Sequence, residues 1–214
     1  IAENVFDEIK ADDSADYDRL STDLSGRNIL IIGPGKNVQL QERAIREYIS
    51  VNNPLIISVN YISDAFRPDF VFVTNRKRHR QMTDSLNAAE NTGAKLIATS
   101  NLTAGKTKFS YTLGLSELLV HDDGQFRDNS FLMLIKVLRR CGISEINCVG
   151  FDGYSNKEDN YADPQMEYAF VKSSAEYLNK RIRAELFEKY RDMKFNFITY
   201  SKYTETEDCF DAAF

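Results

Sequence analysis

Gly33, Pro34, Gly35, Lys36 and Asn37 follow directly on an unbroken apolar run, Ile29–Ile32, and lead into a helical pattern that starts at Val38. The two glycines permit a sharp backbone bend, and Pro34 fixes one φ between them. Main-chain N–H groups at the mouth of a helix attract anions, most often phosphate. The stretch is neither the six-position dinucleotide fingerprint nor the GxxxxGK[ST] phosphate loop. Two readings stand: an anion cradle assisted by Lys36, or a strand-to-helix bend that binds nothing.

Polar residues recur at the ends of the other apolar runs. Asn60 follows Leu55–Val59, and Thr74, Asn75, Arg76, Lys77 and Arg78 follow Phe70–Val73. Thr99, Ser100 and Asn101 end the run from Lys95, and Gly150, Asp152, Gly153 and Tyr154 follow Glu145–Val149. Amides, hydroxyls and cations of this kind suit a ligand with phosphate and with ribose, base or sugar hydroxyls; they suit acyl transfer poorly. Arg76 opens a helix, where a cation opposes the macrodipole, so a bound anion would rationalise it. Asn60 and Asn75 either read the ligand or cap turns, and Asp152 either forms a turn or holds a hydroxyl. His79 and His121 fall in no zinc-binding pattern and assemble no Ser/His/Asp triad.

Short apolar runs alternating with helical patterns position these residues. Such alternation predicts an α/β fold, a Rossmann-like three-layer sandwich with a mostly parallel sheet and right-handed crossovers. Ligands then sit beyond the carboxyl ends of the strands, where strand order reverses. Leu40, Ala44, Ile45, Tyr48 and Ile49 mark the inner face of the first helix, and Asn52-Asn53-Pro54 ends it. A helix is expected from Arg76 to about Glu90, short strands at 109–111 and 117–120, and a loop over 103–108. Asp128-Asn129-Ser130 caps a helix with Phe131, Leu134, Ile135 and Leu138 inward. A long helix is expected from Gln165 to about Arg191, with Tyr168, Val171, Ala175, Leu178, Ile182, Leu186 and Phe187 inward, and an outer strand over 194–200.

Residues 1–25 carry eight acidic residues and read as an acidic connector that admits short helices around 5–9 and 17–24. Residues 26–203 form the domain, and 204–214 an acidic tail. The chain has 214 residues and a formal net charge of −5, which argues against a nucleic-acid partner. No apolar run is long enough to span a membrane, and no secretory leader pattern is present. The three cysteines lack metal-ligand spacing, and reduced thiols in a cytoplasmic protein account for them, with Cys141 and Cys148 in the core. No cofactor and no metal site are evident. The chain starts with Ile1 rather than methionine, which suggests a piece of something longer.

Ile29–Asn37, Pro54–Asn60 and Pro68–Lys77 together resemble the domain that follows the barrel in bacterial HMG-CoA-lyase-like and 4-hydroxy-2-oxovalerate aldolase-like proteins. The resemblance covers roughly the first half of the chain and implies that metal-dependent aldol or lyase chemistry lies on a barrel absent here. Gly33-Pro34, Asn60, Asn75, Ser130 and Gly150-Phe151-Asp152 with Tyr154 are similar to the pattern of the bacterial sialyltransferase-like fold. That likeness implies a nucleotide or nucleotide-sugar site over Gly33–Gly35, with Asn60, Asn75 and Ser130 around it. Gly35 stands where that pattern has serine, and the loop after Asp152 lacks the histidine that supplies the family's base. The leading expectation is therefore a domain that binds a small phosphorylated molecule, the C-terminal part of an aldolase-like enzyme. One alternative is a glycosyl- or phosphoryl-transferase built on Asp152, Asp159, Asp163 and Tyr154. Another is a dimerisation domain using Phe195, Phe197 and Tyr200 to form a homo-oligomer.

Overall fold

The computed structural model describes residues 12–102, 108–120 and 127–204. Its frame is one seven-stranded sheet: β1 (Ile29–Ile32), β2 (Leu55–Val59), β3 (Phe70–Val73), β4 (Lys95–Thr99), β5 (Tyr111–Leu113), β6 (Glu145–Val149) and β7 (Lys194–Phe197). The order is β5-β4-β3-β2-β1-β6-β7, and every adjacent pair is parallel. The chain therefore builds outward from β1 to one edge, returns, and builds to the other, with the reversal between β1 and β6. The expected mostly parallel sandwich is observed, with the antiparallel allowance unused.

Continuous apolar strands require cover on both faces. Ile29 and Ile31 point into a core formed with α1 (Ser14–Leu24), α7 (Ser130–Arg140) and α9 (Ala175–Ala184). Leu30 and Ile32 point the other way, onto Val38 and Ile45. These belong to α2 (Asn37–Leu40) and α3 (Glu42–Asn52). Beyond them α4 (Arg76–Gln81) and α5 (Thr83–Asn91) continue that layer, where Leu86 and Ala89 pack on Val71, Val73 and Leu96. Helix α7 carries seven buried apolar side chains from Phe131 to Leu138 and lies under the centre of the sheet.

Several boundaries differ from expectation. Within the described part of the acidic stretch, α1 is no connector: Tyr17, Leu20 and Leu24 are buried in the core. Asp16 of α1 accepts from Thr112 N–H of the edge strand at 2.7 Å, and Asp13, just before the helix, accepts from Gly114 N–H just after that strand at 2.8 Å. Residues 1–11 and nearly all of the tail lie outside the described residues, as do His121 and most of the 103–108 loop. The helix after β1 breaks at Gln41, which turns Leu40 out to 76 % exposure. The strand at 109–111 shifts to 111–113, and α6 (Leu115–Leu118) replaces the strand expected at 117–120.

The long helix from Gln165 is divided into a 3-10 turn at Pro164–Met166, α8 (Ala169–Ser173), α9 and a wider-wound turn at Glu185–Lys189. Glu167 leaves the helix because its carboxylate accepts from both the main-chain and side-chain N–H of Asn160. Val171, Ala175, Leu178, Ile182 and Leu186 are buried as expected, whereas Phe187 is 42 % exposed. Cys141 and Cys148 are buried and unpaired. At the β7 edge Phe195 and Phe197 are half-buried against the core, which leaves Tyr200 as the outward aromatic. No helix of the described residues is long and apolar enough to cross a membrane.

Candidate functional site

The bend after β1 is tightly engaged. Gly33 N–H donates to Val149 O at 2.9 Å and Gly35 N–H to Gly150 O at 2.8 Å, so the ends of β1 and β6 are laced together. The long loop after β6 folds back over them: Tyr161 pairs with Gly35, and Ala162 N–H donates to Pro34 O at 2.8 Å. The Asn37 N–H, expected to face a ligand, donates to Asp152 Oδ2 at 2.8 Å. A side chain on Gly35 would meet the Asp152 carboxylate at 2.6–2.7 Å, so glycine is required for its approach. The expectation of free amides at this bend is corrected: a carboxylate of the chain itself sits in the cradle.

Burial raises the carboxyl pKa of Asp152, and the N–H groups of Asn37 and Lys36 oppose that rise. Its Oδ1 is buried without a partner. Gly150, with φ +69°, leaves no room for a side chain between Val38 and the Gly33 carbonyl.

On the β2–β3 side the polar groups bond to one another around an open space. Asn60 adopts a left-handed conformation with φ 49°. Its Oδ1 accepts from Thr74 N–H at 3.1 Å, and its Nδ2 donates to Ser130 Oγ at 2.6 Å and to Thr74 Oγ1 at 3.3 Å. The Thr74 and Ser130 hydroxyls are 2.7 Å apart. Three strands or helices thus meet through one amide and two hydroxyls. Asn75 caps α4, accepting from the N–H groups of Lys77 and Arg78. Arg76 is held by donation from its Nε to Asn101 O at 2.8 Å. Asn129 caps α7 through Leu132 N–H.

These groups border a cavity of about 1230 Å³ above the carboxyl ends of the central strands. Pro34, Gly35, Asn60, Thr74, Asn75, Arg76, Ser130, Asp152 and Tyr154 line it; Gly33, Lys36 and Asn37 do not. It lies where strand order reverses, the position at which open α/β sheets bind ligands. Its far wall comes from the loop after β6. There the Tyr154 phenol bonds to Tyr161 and Asn129, and burial pushes both tyrosine pKa values up. Phe131 and Phe151 stack at 4.0 Å between ring centroids. Asp128 also lines the space, and burial raises its carboxyl pKa.

Of the acids grouped for transfer chemistry, Asp159 pairs with Lys172 at the surface, and Asp163 caps the 3-10 turn. Neither lines the large cavity, so the four-residue cluster is reduced to Asp152 and Tyr154. Arg78, one of the cations that follow β3 in the sequence, lines the cavity, and Asp128, Asn129, Tyr161 and Tyr168 line it without having been expected there. What the sequence does not show is that Arg78 alone of that basic run is buried, at 4 % exposure.

No family model matches the chain, and neither a curated protein nor a solved structure matches it significantly. The functional reading accordingly rests on the geometry of this cavity.

Proposed function

We propose that this domain binds a nucleotide or nucleotide-sugar, or a phosphorylated small molecule of that kind, in the cavity over the β1–β6 reversal. The observation that carries the reading is the convergence there of Asn60, Thr74 and Ser130 with Arg76 and its basic neighbours. The hydroxyls and amide offer hydrogen bonds to ribose, base or sugar groups, and the cations neutralise phosphate. The volume is slightly above the range usual for small-molecule sites and accommodates a ligand of nucleotide-sugar size. The sequence resemblance supports placing the domain C-terminal to an aldolase-like catalytic barrel. A panel of nucleotides and nucleotide-sugars tests the reading by thermal shift: a phosphorylated member should raise Tm, and Arg76→Ala should remove the rise. No shift across the panel sinks it.

One observation favours a second reading, transfer of a glycosyl or phosphoryl group. A buried carboxyl with a raised pKa lines a ligand-sized cavity, the environment in which general acids and bases are found. Turnover of a nucleotide-sugar that is lost in Asp152→Asn, with binding retained, would establish it.

A further inference from the structure

Arg78 is only 4 % exposed, although it lies on the first turn of a short helix in a strongly basic stretch. A buried guanidinium costs free energy unless its charge and its five donors are answered. Two neutral acceptors answer it here: Nη1 donates to Gln81 Oε1 at 3.0 Å, and Nη2 donates to the Met166 carbonyl. The ring faces of Tyr168 and Tyr161 lie 4.7 and 6.0 Å from the guanidinium carbon and offset part of the charge.

No carboxylate among the described residues comes within ion-pairing distance of Arg78. Nearby acids are committed elsewhere: Glu167 accepts from Asn160, and Asp163 from Gln165 N–H. Asp128 and Asp152 share the cavity, yet Arg78 holds neither carboxyl down; burial dominates both. The guanidinium thus lines the large cavity, and a smaller adjoining one of about 150 Å³, as a cation with no carboxylate partner among the described residues.

We propose that Arg78 is the anchor for the ligand's phosphate oxyanion, receiving it through the guanidinium N–H donors that Gln81 and Met166 do not take, beside the Tyr168 and Tyr161 rings, with Arg76 lining the same cavity. The planar fork matches two oxygens of a phosphate at once, which a lysine does not do. A ligand phosphate would supply the missing counter-charge and settle the cost of burying the cation. The anion is thereby assigned to the β3–α4 side of the cavity rather than to the bend after β1, where Asp152 takes the amides. This inference rests on the proposed binding of a phosphorylated ligand and adds which side chain receives the phosphate.

The test measures binding of the common ribonucleoside diphosphates, each paired with its unphosphorylated nucleoside, and of inorganic pyrophosphate, by titration calorimetry. Wild-type protein is compared with Arg78→Lys and Arg78→Gln, and folding is checked by circular dichroism. At least one diphosphate should bind wild type, Arg78→Lys should weaken it by about tenfold or more, and Arg78→Gln should remove the advantage of diphosphate over nucleoside. Unchanged diphosphate affinity in Arg78→Lys and Arg78→Gln overturns the anchor and leaves the proposed function standing. Equal loss for diphosphate and nucleoside also overturns it, because a residue that only ties α4 to Met166 would weaken both alike. If Arg78→Gln does not fold, Arg78→Lys decides. If wild type binds none of these probes, both the anchor and the function above it fall.

Discussion

Two corners of the same cavity rim look alike in sequence and differ in the fold. Each follows a buried parallel strand, each carries small or polar residues, and each leads into a helix with a cation nearby. At the bend after β1, Asp152 accepts the Asn37 N–H, and the loop after β6 is laced over Pro34 and Gly35. At the corner after β2 and β3, Asn60, Thr74 and Ser130 satisfy one another while still facing the cavity, and Arg78 has no carboxylate among the described residues. The first corner is closed by an internal anion; the second presents an internal cation. If the cavity takes an anion as proposed, the cation that lacks a carboxylate among the described residues marks its place, and the glycines do not.

The largest expected effect breaks the closed corner. Gly150→Ala must place a side chain at φ +69°, 2.3 Å from the Val38 side chain and 2.5 Å from Gly33 O. Both backbone strain and overlap oppose it, and a loss of about 3 kcal/mol or more is expected, read as a lowered denaturation midpoint. Gly35→Ala should follow, since the new methyl collides with the Asp152 carboxylate at the end of a side chain that can swing away. A cost of about 1–3 kcal/mol is expected, because Asn37 N–H is then left without its acceptor.

Removing Ser130 Oγ sharpens the open corner. Ser130→Ala leaves Asn60 Nδ2 with the longer bond to Thr74 alone, at 3.3 Å. A destabilisation of roughly 1 kcal/mol is expected by thermal melting, together with weaker nucleotide binding.

The pH dependence comes next. Asp152 has a folded-state pKa above its ordinary value of 3.8, so the folded state holds its proton more tightly than the unfolded chain. The associated stability is complete below 3.8 and is lost as pH rises through the higher folded-state value. Asp128 shifts in the same direction for the same reason. Unfolding midpoints measured from pH 3.5 upward should show Asp152→Asn reducing that decline; an unchanged profile would mean the carboxyl is not penalised by burial.

The smallest effect belongs to Lys36→Ala. Lys36 does not line the cavity, so stability should change by less than about 0.5 kcal/mol and ligand affinity should not move. If Lys36→Ala abolished nucleotide binding while Arg76→Ala did not, the contrast between the two corners would be reversed.

Much of the layout is legible in the residues. Ile29–Ile32, Leu55–Val59 and Phe70–Val73 announce doubly covered parallel strands, and left-handed Asn53 with Pro54 ends α3 where the Asn-Asn-Pro triplet says it should. Because the carboxyl ends of parallel strands share one rim, the positions of Asn60, Thr74, Arg76 and Asp152 after their apolar runs place them together on it. What failed were inferences from local composition. The acidity of residues 12–24 suggested a connector with at most a short helix at 17–24 and hid its place in the core, where Tyr17, Leu20 and Leu24 pack while Asp13 and Asp16 accept from the Gly114 and Thr112 N–H groups. The aromatic and polar residues after Asp152 gave no hint that Tyr161 would pair with Gly35 across more than a hundred residues.

The order of strands and helices, their two-sided burial and the rim on which polar groups gather were settled by the residues themselves. Apolar run length, β-branching and the backbone limits of glycine, asparagine and proline act locally and need no distant partner. Which amides are taken, which carboxyl is buried and which guanidinium has no carboxylate partner among the described residues were settled only by tertiary structure. Those outcomes depend on distances between Asp152 and Asn37, or between Arg78 and Met166, that no local pattern encodes. Charge compensation is a property of three-dimensional neighbourhoods, and in this chain it separates a bend whose Asn37 amide is taken by Asp152 from a buried guanidinium with no carboxylate partner among the described residues.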